Sequence, residues 1–174
     1  MPSARYNELI ELNKQEHFDP TAFTGQSLVN LICPIGNVLA NMDCKTVLDY
    51  GCGKGMIQAY YHVDELWRVA YTGYDPCVPK FAKKPTGKFD AVICTDVLEH
   101  VPEPDLSEWV LDEVFGYANK IVFVKVPTYL ADRSLPNGEN CHCTIQPQEW
   151  WESTLKAKAT QHGVNVAIWI KSKK

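Results

Sequence analysis

The chain has 174 residues, a formal charge of −4 and a pI near 5.7. That is the size of one domain able to bury a full core without staples, and the charge provides no general basic field for nonspecific nucleic-acid binding. Seven cysteines, an odd number scattered over apolar runs, read as buried thiols in a reducing compartment and not as a disulfide framework. Met1 to Phe18 has no signal-peptide core, and no run approaches the ~20 apolar residues of a membrane span. A soluble cytoplasmic protein is expected.

In chain order, Tyr6, Leu9, Ile10 and Asn13 keep a loose helical spacing, and Asp19-Pro20 reads as a cap with a first-turn proline before Gly25 breaks the pattern. A second helix starts near Ser27, with Pro34 forcing a kink or a fresh start before Ile35. Thr46 to Tyr50 is a strand, followed by a helix running to about Tyr61, and Val69 to Tyr74 is a second strand. Three prolines and a glycine between Pro76 and Lys88 forbid a regular element there. Phe89 to Cys94 is an apolar strand of the kind buried on both faces. Asp105 or Ser107 caps the next helix, Lys120 to Val126 is a strand, and Thr128 to Gln146 is irregular. A helix from about Pro147 to Gln161 and a strand from Val164 to Ile170 complete the pattern. The alternation predicts an open, mostly parallel, doubly wound sheet with helices on both faces, and ligands beyond the carboxyl ends of its strands.

The most informative stretch is Leu48-Asp49-Tyr50-Gly51-Cys52-Gly53-Lys54-Gly55, a strand ending in an acid and falling into alternating glycines ahead of a helix. Such a junction turns sharply, removes Cβ atoms that would block a ligand and presents helix N–H groups to it. A dinucleotide fingerprint would need glycine where Met56 stands, and a P-loop would need Ser or Thr after Lys54, where Gly55 stands. The second strand ends in Asp75, which suits the hydrogen bonds of a ribose diol.

Leu48 to Gly55, then Gly73-Tyr74-Asp75-Pro76, then Phe89 through Asp96-Val97-Leu98-Glu99-His100-Val101 resemble the successive motifs of class I S-adenosylmethionine-dependent methyltransferases, in the family's order, over roughly Lys45 to Val126. The resemblance implies a Rossmann-like α/β fold, here a compact version of about five strands because the prolines after Asp75 displace the family's third strand. It also implies a single domain, 1–174, with a helical N-terminal arm at 1–43 and the core at 44–174. The arm either crosses the cofactor as a lid, with Phe23, Thr24, Gly25 and Ser27 as its contacts, or only packs on the sheet.

By the same resemblance S-adenosylmethionine is the donor and S-adenosylhomocysteine the product. Gly51, Cys52 and Gly53 close on the donor, Asp49 takes its amino end and Asp75 its ribose. Pro76, with Cys77 and Val78, supplies part of the adenine wall, and Thr95 and Asp96 border the methionine moiety. His100 and His142 are the candidate catalytic bases, since a neutral imidazole accepts protons near physiological pH. The acceptor is expected to be an oxygen or nitrogen on a small molecule. The alternatives are a non-catalytic donor-binding module and an anionic or nucleic-acid acceptor drawn by Lys80, Lys83, Lys84 and Lys88. No metal is expected: Cys141 and Cys143 around His142 are too tightly spaced and lack a second pair. Trp150-Trp151 either lines the acceptor pocket or fills core. An uncovered edge strand allows a homodimer.

Overall fold

The computed structural model describes residues 1–19, 22 and 27–173. Five strands form one sheet: β1 (Thr46–Tyr50), β2 (Ala70–Tyr74), β3 (Phe89–Thr95), β4 (Ala118–Pro127) and β5 (Asn165–Lys171). Their order is β2-β1-β3-β4-β5 and every pairing is parallel. Because β1 has β2 on one side and β3 on the other, the chain reverses its winding at β1. A crevice opens at that point beyond the strand ends.

The three central strands, β1, β3 and β4, are apolar at both parities because both of their faces are covered. Leu48, Val92, Val122, Val124 and Val126 pack in one layer with Leu111, Val114 and Phe115 of α6 (Leu111–Gly116) and Trp151 and Leu155 of α7 (Gln148–His162). Val47, Ala91, Ile93 and Phe123 face the opposite layer. There they meet Ile35 and Leu39 of α2 (Ile32–Asn41), Ile57 of α3 (Met56–Tyr61) and Trp67 of α4 (Val63–Trp67). Pro34 falls in the first turn of α2, where its missing N–H costs nothing, so it marks a fresh start and not a kink. Residues 76–88 hold one 3₁₀ turn, Pro79–Phe81, as the prolines dictate.

The helix after β3 departs from expectation. It begins at α5 (Glu103–Asp105), passes through a π-helical segment, Leu106–Val110, and continues as α6. Neither Asp105 nor Ser107 caps it. Asp105 is buried and accepts hydrogen bonds from the Ser3 backbone N–H (2.8 Å), Ser3 Oγ (2.6 Å) and Trp109 Nε1 (2.9 Å). Ser3 in turn caps α1 (Ala4–Phe18) by accepting from Tyr6 N–H. The aspartate therefore fixes the start of α1 against the core, 102 residues away in sequence. Asp105→Ala is expected to lower stability by roughly 1.5–3 kcal/mol, the range for a hydrogen-bonded charged group; urea unfolding of the two proteins checks it, and an unchanged midpoint would deny Asp105 this role.

Among the described residues no helix is long and apolar enough to cross a membrane. All seven cysteines are free; Cys44, Cys77, Cys94 and Cys141 are buried, while Cys33 and Cys143 are exposed.

Candidate active site

The turn between β1 and α3 is drawn onto β2. Gly51 N–H and Cys52 N–H both donate to the Tyr74 carbonyl, at 2.7 and 3.1 Å, and Gly53 N–H donates to Asp75 Oδ2 at 2.9 Å. Those three backbone donors of the turn are thus engaged within the protein. Gly51 has φ +81°, and a Cβ there would lie 2.2 Å from Val97 Cγ2. Its bare Cα makes room for the chain leaving β3, where the sequence suggested room for a ligand.

The acids gather around this turn. Asp49 is buried at the end of β1, and its Oδ2 accepts from Tyr71 Oη at 2.5 Å. Burial pushes its pKa up to about 6, the tyrosine bond acting in the opposite sense. Asp75, also buried, holds Gly53 N–H on one oxygen and Cys77 N–H, at 2.8 Å, on the other. It is a brace for the turn and retains further lone pairs toward the crevice. Asp96 follows Thr95 in the left-handed region, φ +54°, a conformation that aspartate tolerates better than most residues. Its Oδ2 accepts from Lys125 Nζ at 2.9 Å, whereas its buried Oδ1 has no hydrogen-bond partner among the described residues.

These groups line one cavity of about 810 Å³ beyond the carboxyl ends of β1, β2 and β3. Asp49, Gly51, Cys52, Gly53, Asp75, Pro76, Thr95 and Asp96 border it, with Cys77 beside them; Val78, the third residue expected at the adenine wall, does not. Burial raises the Cys52 thiol pKa, so Cys52 is a wall and not a nucleophile. Of the lid candidates, Phe23, Thr24 and Gly25 lie outside the described residues, and Ser27 is held through its carbonyl by Lys125 Nζ at 2.7 Å.

The wall that sequence reasoning missed is α1. Tyr6, Leu9, Ile10, Asn13 and His17 line the cavity along one face of that helix, and His17 Cε1 would lie 3.7 Å from a Cβ on Gly53. The available signal was two polar residues, Asn13 and His17, continuing the stripe begun by Tyr6, Leu9 and Ile10. The far end of α1 is held by Arg133, which pairs with Glu16 and Asp19, and by Lys54 Nζ, which donates to the carbonyls of Asp19 and Ala22. Neither Trp150 nor Trp151 lines the cavity; Trp151 is fully buried in the core, so the core reading is the correct one. None of the four lysines of the basic run lines the cavity either, and Lys84 is paired to Glu113.

At the other end His100 and His142 come together, ring centroids 5.1 Å apart and planes nearly perpendicular. His100 sits in the 3₁₀ turn Leu98–His100 after β3, and His142 comes from the irregular stretch 128–147. The two segments are stitched together: Cys143 N–H and Thr144 N–H donate to the Glu99 carbonyl, and Thr144 Oγ1 donates to the Val101 carbonyl. Nδ1 of His100 donates to the Cys141 carbonyl at 2.8 Å and Nδ1 of His142 to the Tyr129 carbonyl at 2.7 Å, which puts both lone pairs on Nε2. Burial, reinforced by His142, pushes the His100 pKa down to about 4. Glu99 between them is fully buried.

A family model described as a methyltransferase domain matches residues 23–156. The chain belongs to the methyltransferase-domain family. That is the family its glycine turn and strand-end acids resemble, and the parallel five-stranded sheet is of the Rossmann-like class I type. Among solved structures, an O-methyltransferase family protein from Burkholderia thailandensis is similar at 15% identity with a TM-score of 0.44. The match covers 78% of this chain and 52% of that one, so the chain spans about half the length of that relative. No curated protein matches.

The cavity has two unlike halves. Near β1 and β2 are carboxylates on a glycine turn, suited to a cationic amino group and a ribose diol; near β3 and the 128–147 stretch are imidazoles and a buried carboxylate. Between them stands Asp96, whose unpartnered Oδ1 is an acceptor available to a cationic or hydroxyl-bearing ligand.

Proposed function

We propose that the enzyme transfers the methyl group of S-adenosylmethionine to an oxygen or nitrogen of a small-molecule acceptor. The observation that carries this reading is the single cavity that joins the Asp49–Gly53 turn and Asp75 to the His100–His142 pair. Asp49 receives the donor's amino group, Asp75 its ribose hydroxyls, and Pro76 and Cys77 border the adenine. Thr95 and Asp96 flank the methionine portion, so that the sulfonium methyl is presented toward the imidazoles. The donor supplies a methyl already activated for displacement; what the chain contributes is alignment and the exclusion of water by α1 and the 128–147 stretch. The cavity's size, within the ~300–1,000 Å³ of ligand sites, and the absence of the basic run's four lysines from its lining favour a small acceptor over a nucleic acid.

The deciding experiment is calorimetric titration with S-adenosylmethionine and S-adenosylhomocysteine, with NAD and ATP as controls, followed by an acceptor screen with methyl-labelled donor. Binding of the first two alone supports the reading, and binding of neither refutes it. A pH dependence should accompany it. Asp49, with Tyr71 bonded to it and Asp75 nearby, has a pKa of about 6 in the free protein. Above that pH its carboxylate attracts the donor's ammonium group, and below it the proton removes the charge. Affinity should therefore be flat above pH 7 and fall by up to about tenfold per unit below pH 6. Asp49→Asn should flatten the profile; a variant that kept the full dependence would remove Asp49 from the amino-group role.

A further inference from the structure

We propose that Glu99, His100 and His142 bind one divalent first-row transition-metal ion of the zinc type, with an open coordination position facing the cavity. One carboxylate oxygen and the two Nε2 atoms lie within 4.8 Å of one another, Glu99 Oε1 being 4.0 Å from His100 Nε2 and 3.9 Å from His142 Nε2. Those separations are too long for hydrogen bonds, so the carboxyl group does not sit there to bond an imidazole. Ligands with bonds of about 2.1 Å to a tetrahedral ion lie about 3.4 Å apart, a contraction of roughly half an ångström for the two carboxylate–imidazole pairs and of at most about 1.4 Å for the imidazole pair.

Three further features point to a cation. Glu99 is fully buried, and neither of its carboxylate oxygens has a hydrogen-bond partner among the described residues. A buried carboxylate in that state is costly unless a positive charge meets it. Two protein cations stand at this end of the cavity: Lys125 is already committed to Asp96 Oδ2 and the Ser27 carbonyl, and Lys171 lies over the Tyr129 ring, so neither hydrogen-bonds the carboxyl group. Finally, the Nδ1–H of each histidine is fixed by a backbone carbonyl, the outer contact that orients a metal-bound imidazole and holds its lone pair on the inner nitrogen. Two imidazoles and one carboxylate suit zinc, cobalt or ferrous iron better than magnesium or calcium, and three protein ligands leave a position for substrate.

That position gives the ion a role, which rests on the methyl-transfer reading although the ion site itself does not. An acceptor hydroxyl bound there loses its proton to water more readily, because the ion stabilises the oxyanion. The oxygen then forms its bond to the methyl carbon, and the electron pair of the carbon–sulfur bond remains on sulfur, converting the sulfonium to a neutral thioether.

The test uses the full chain, stripped with chelator and titrated with zinc chloride by calorimetry and with cobalt chloride by absorption. The expected result is one ion per chain, with cobalt d–d bands and without the intense near-ultraviolet band of a thiolate ligand. Glu99→Gln and His142→Ala should each weaken zinc binding by more than about 100-fold, beyond the effect usual for an outer-shell partner, and zinc should raise the melting temperature of the parent only. A thiolate band would assign the ion to Cys141 or Cys143 and overturn the proposal. Absence of stoichiometric binding would do the same, as would unchanged affinity in both variants. The cobalt spectrum of the parent needs no variant to fold. S-adenosylhomocysteine titrated into the same stripped sample reports on the donor reading separately.

Discussion

Gly51→Val is expected to abolish donor binding and to lower stability by roughly 2–5 kcal/mol, the sum of about 1–2 for a left-handed backbone with a Cβ and about 1–3 for overpacking. The collision is internal: the new Cβ would lie 2.2 Å from Val97 Cγ2. Either Val97 withdraws, disturbing the chain that leads to Glu99 and His100, or the turn lifts from the Tyr74 carbonyl that holds Gly51 and Cys52. Both movements break the line between the two halves of the site. Combining Gly51→Ala with Val97→Ala separates this account from simple blocking of the ligand. The double variant removes the two Val97 methyl contacts, at 2.2 and 3.1 Å, and leaves the backbone strain and one tight contact with the Val97 Cβ at 3.2 Å, so donor binding should return along with part of the stability. If stability returned and binding did not, the Cβ would be obstructing the ligand itself.

Asp75→Ala should weaken the donor by about 1.5–3 kcal/mol, or about 10- to 150-fold, the worth of a charge-assisted hydrogen bond. The structure adds a second effect. Removal of the carboxylate strands Gly53 N–H and Cys77 N–H, which it now satisfies, at a cost of about 1–3 kcal/mol for each that stays buried. Asp75→Asn retains one acceptor oxygen and should fall between the parent and Asp75→Ala in both properties. Calorimetry and urea unfolding on the three proteins distinguish the roles. Lower stability with unchanged affinity would make Asp75 a brace of the turn and nothing more.

The sheet was readable because its signals are local. The bounds of β1 are those expected, since an aliphatic run, an acid and a glycine follow one another without ambiguity, and β2 and β3 differ by one residue at one end. The missing element after Asp75 was readable for an equally local reason, the prolines. What escaped was carried by partners distant in the chain. Aspartate near a helix start usually caps it, but Asp105 serves Ser3, which no periodicity reveals. The stripe of α1 looked like an incomplete core face because Asn13 and His17 belong to a cavity. His100 and His142 were separate candidates by sequence; their meeting depends on backbone bonds between the Glu99 carbonyl and residues 143 and 144, in a stretch with no regular pattern to read. The unpartnered Glu99 between them is invisible without coordinates, because its neighbours explain nothing until the fold brings His142 across.

The two ends of α1 are secured by unlike chemistry, and this gives the enzyme a direction of opening. At Ser3 the anchor is a buried carboxylate with three donors, little affected by salt; at the far end it is the ion pairs of Glu16 and Asp19 with the more exposed Arg133, which ions screen, beside the Lys54 bonds to the carbonyls of Asp19 and Ala22. Raising the salt concentration is therefore expected to weaken the hold on the His17 end of α1 more than that on the Ser3 end. Arg133 belongs to the same irregular stretch as His142, and Leu9 packs against Leu135 and Cys141 of that stretch. Any opening of α1 would then carry the wall of the imidazole half with it, coupling the two ends of the cavity through the packing of Leu9.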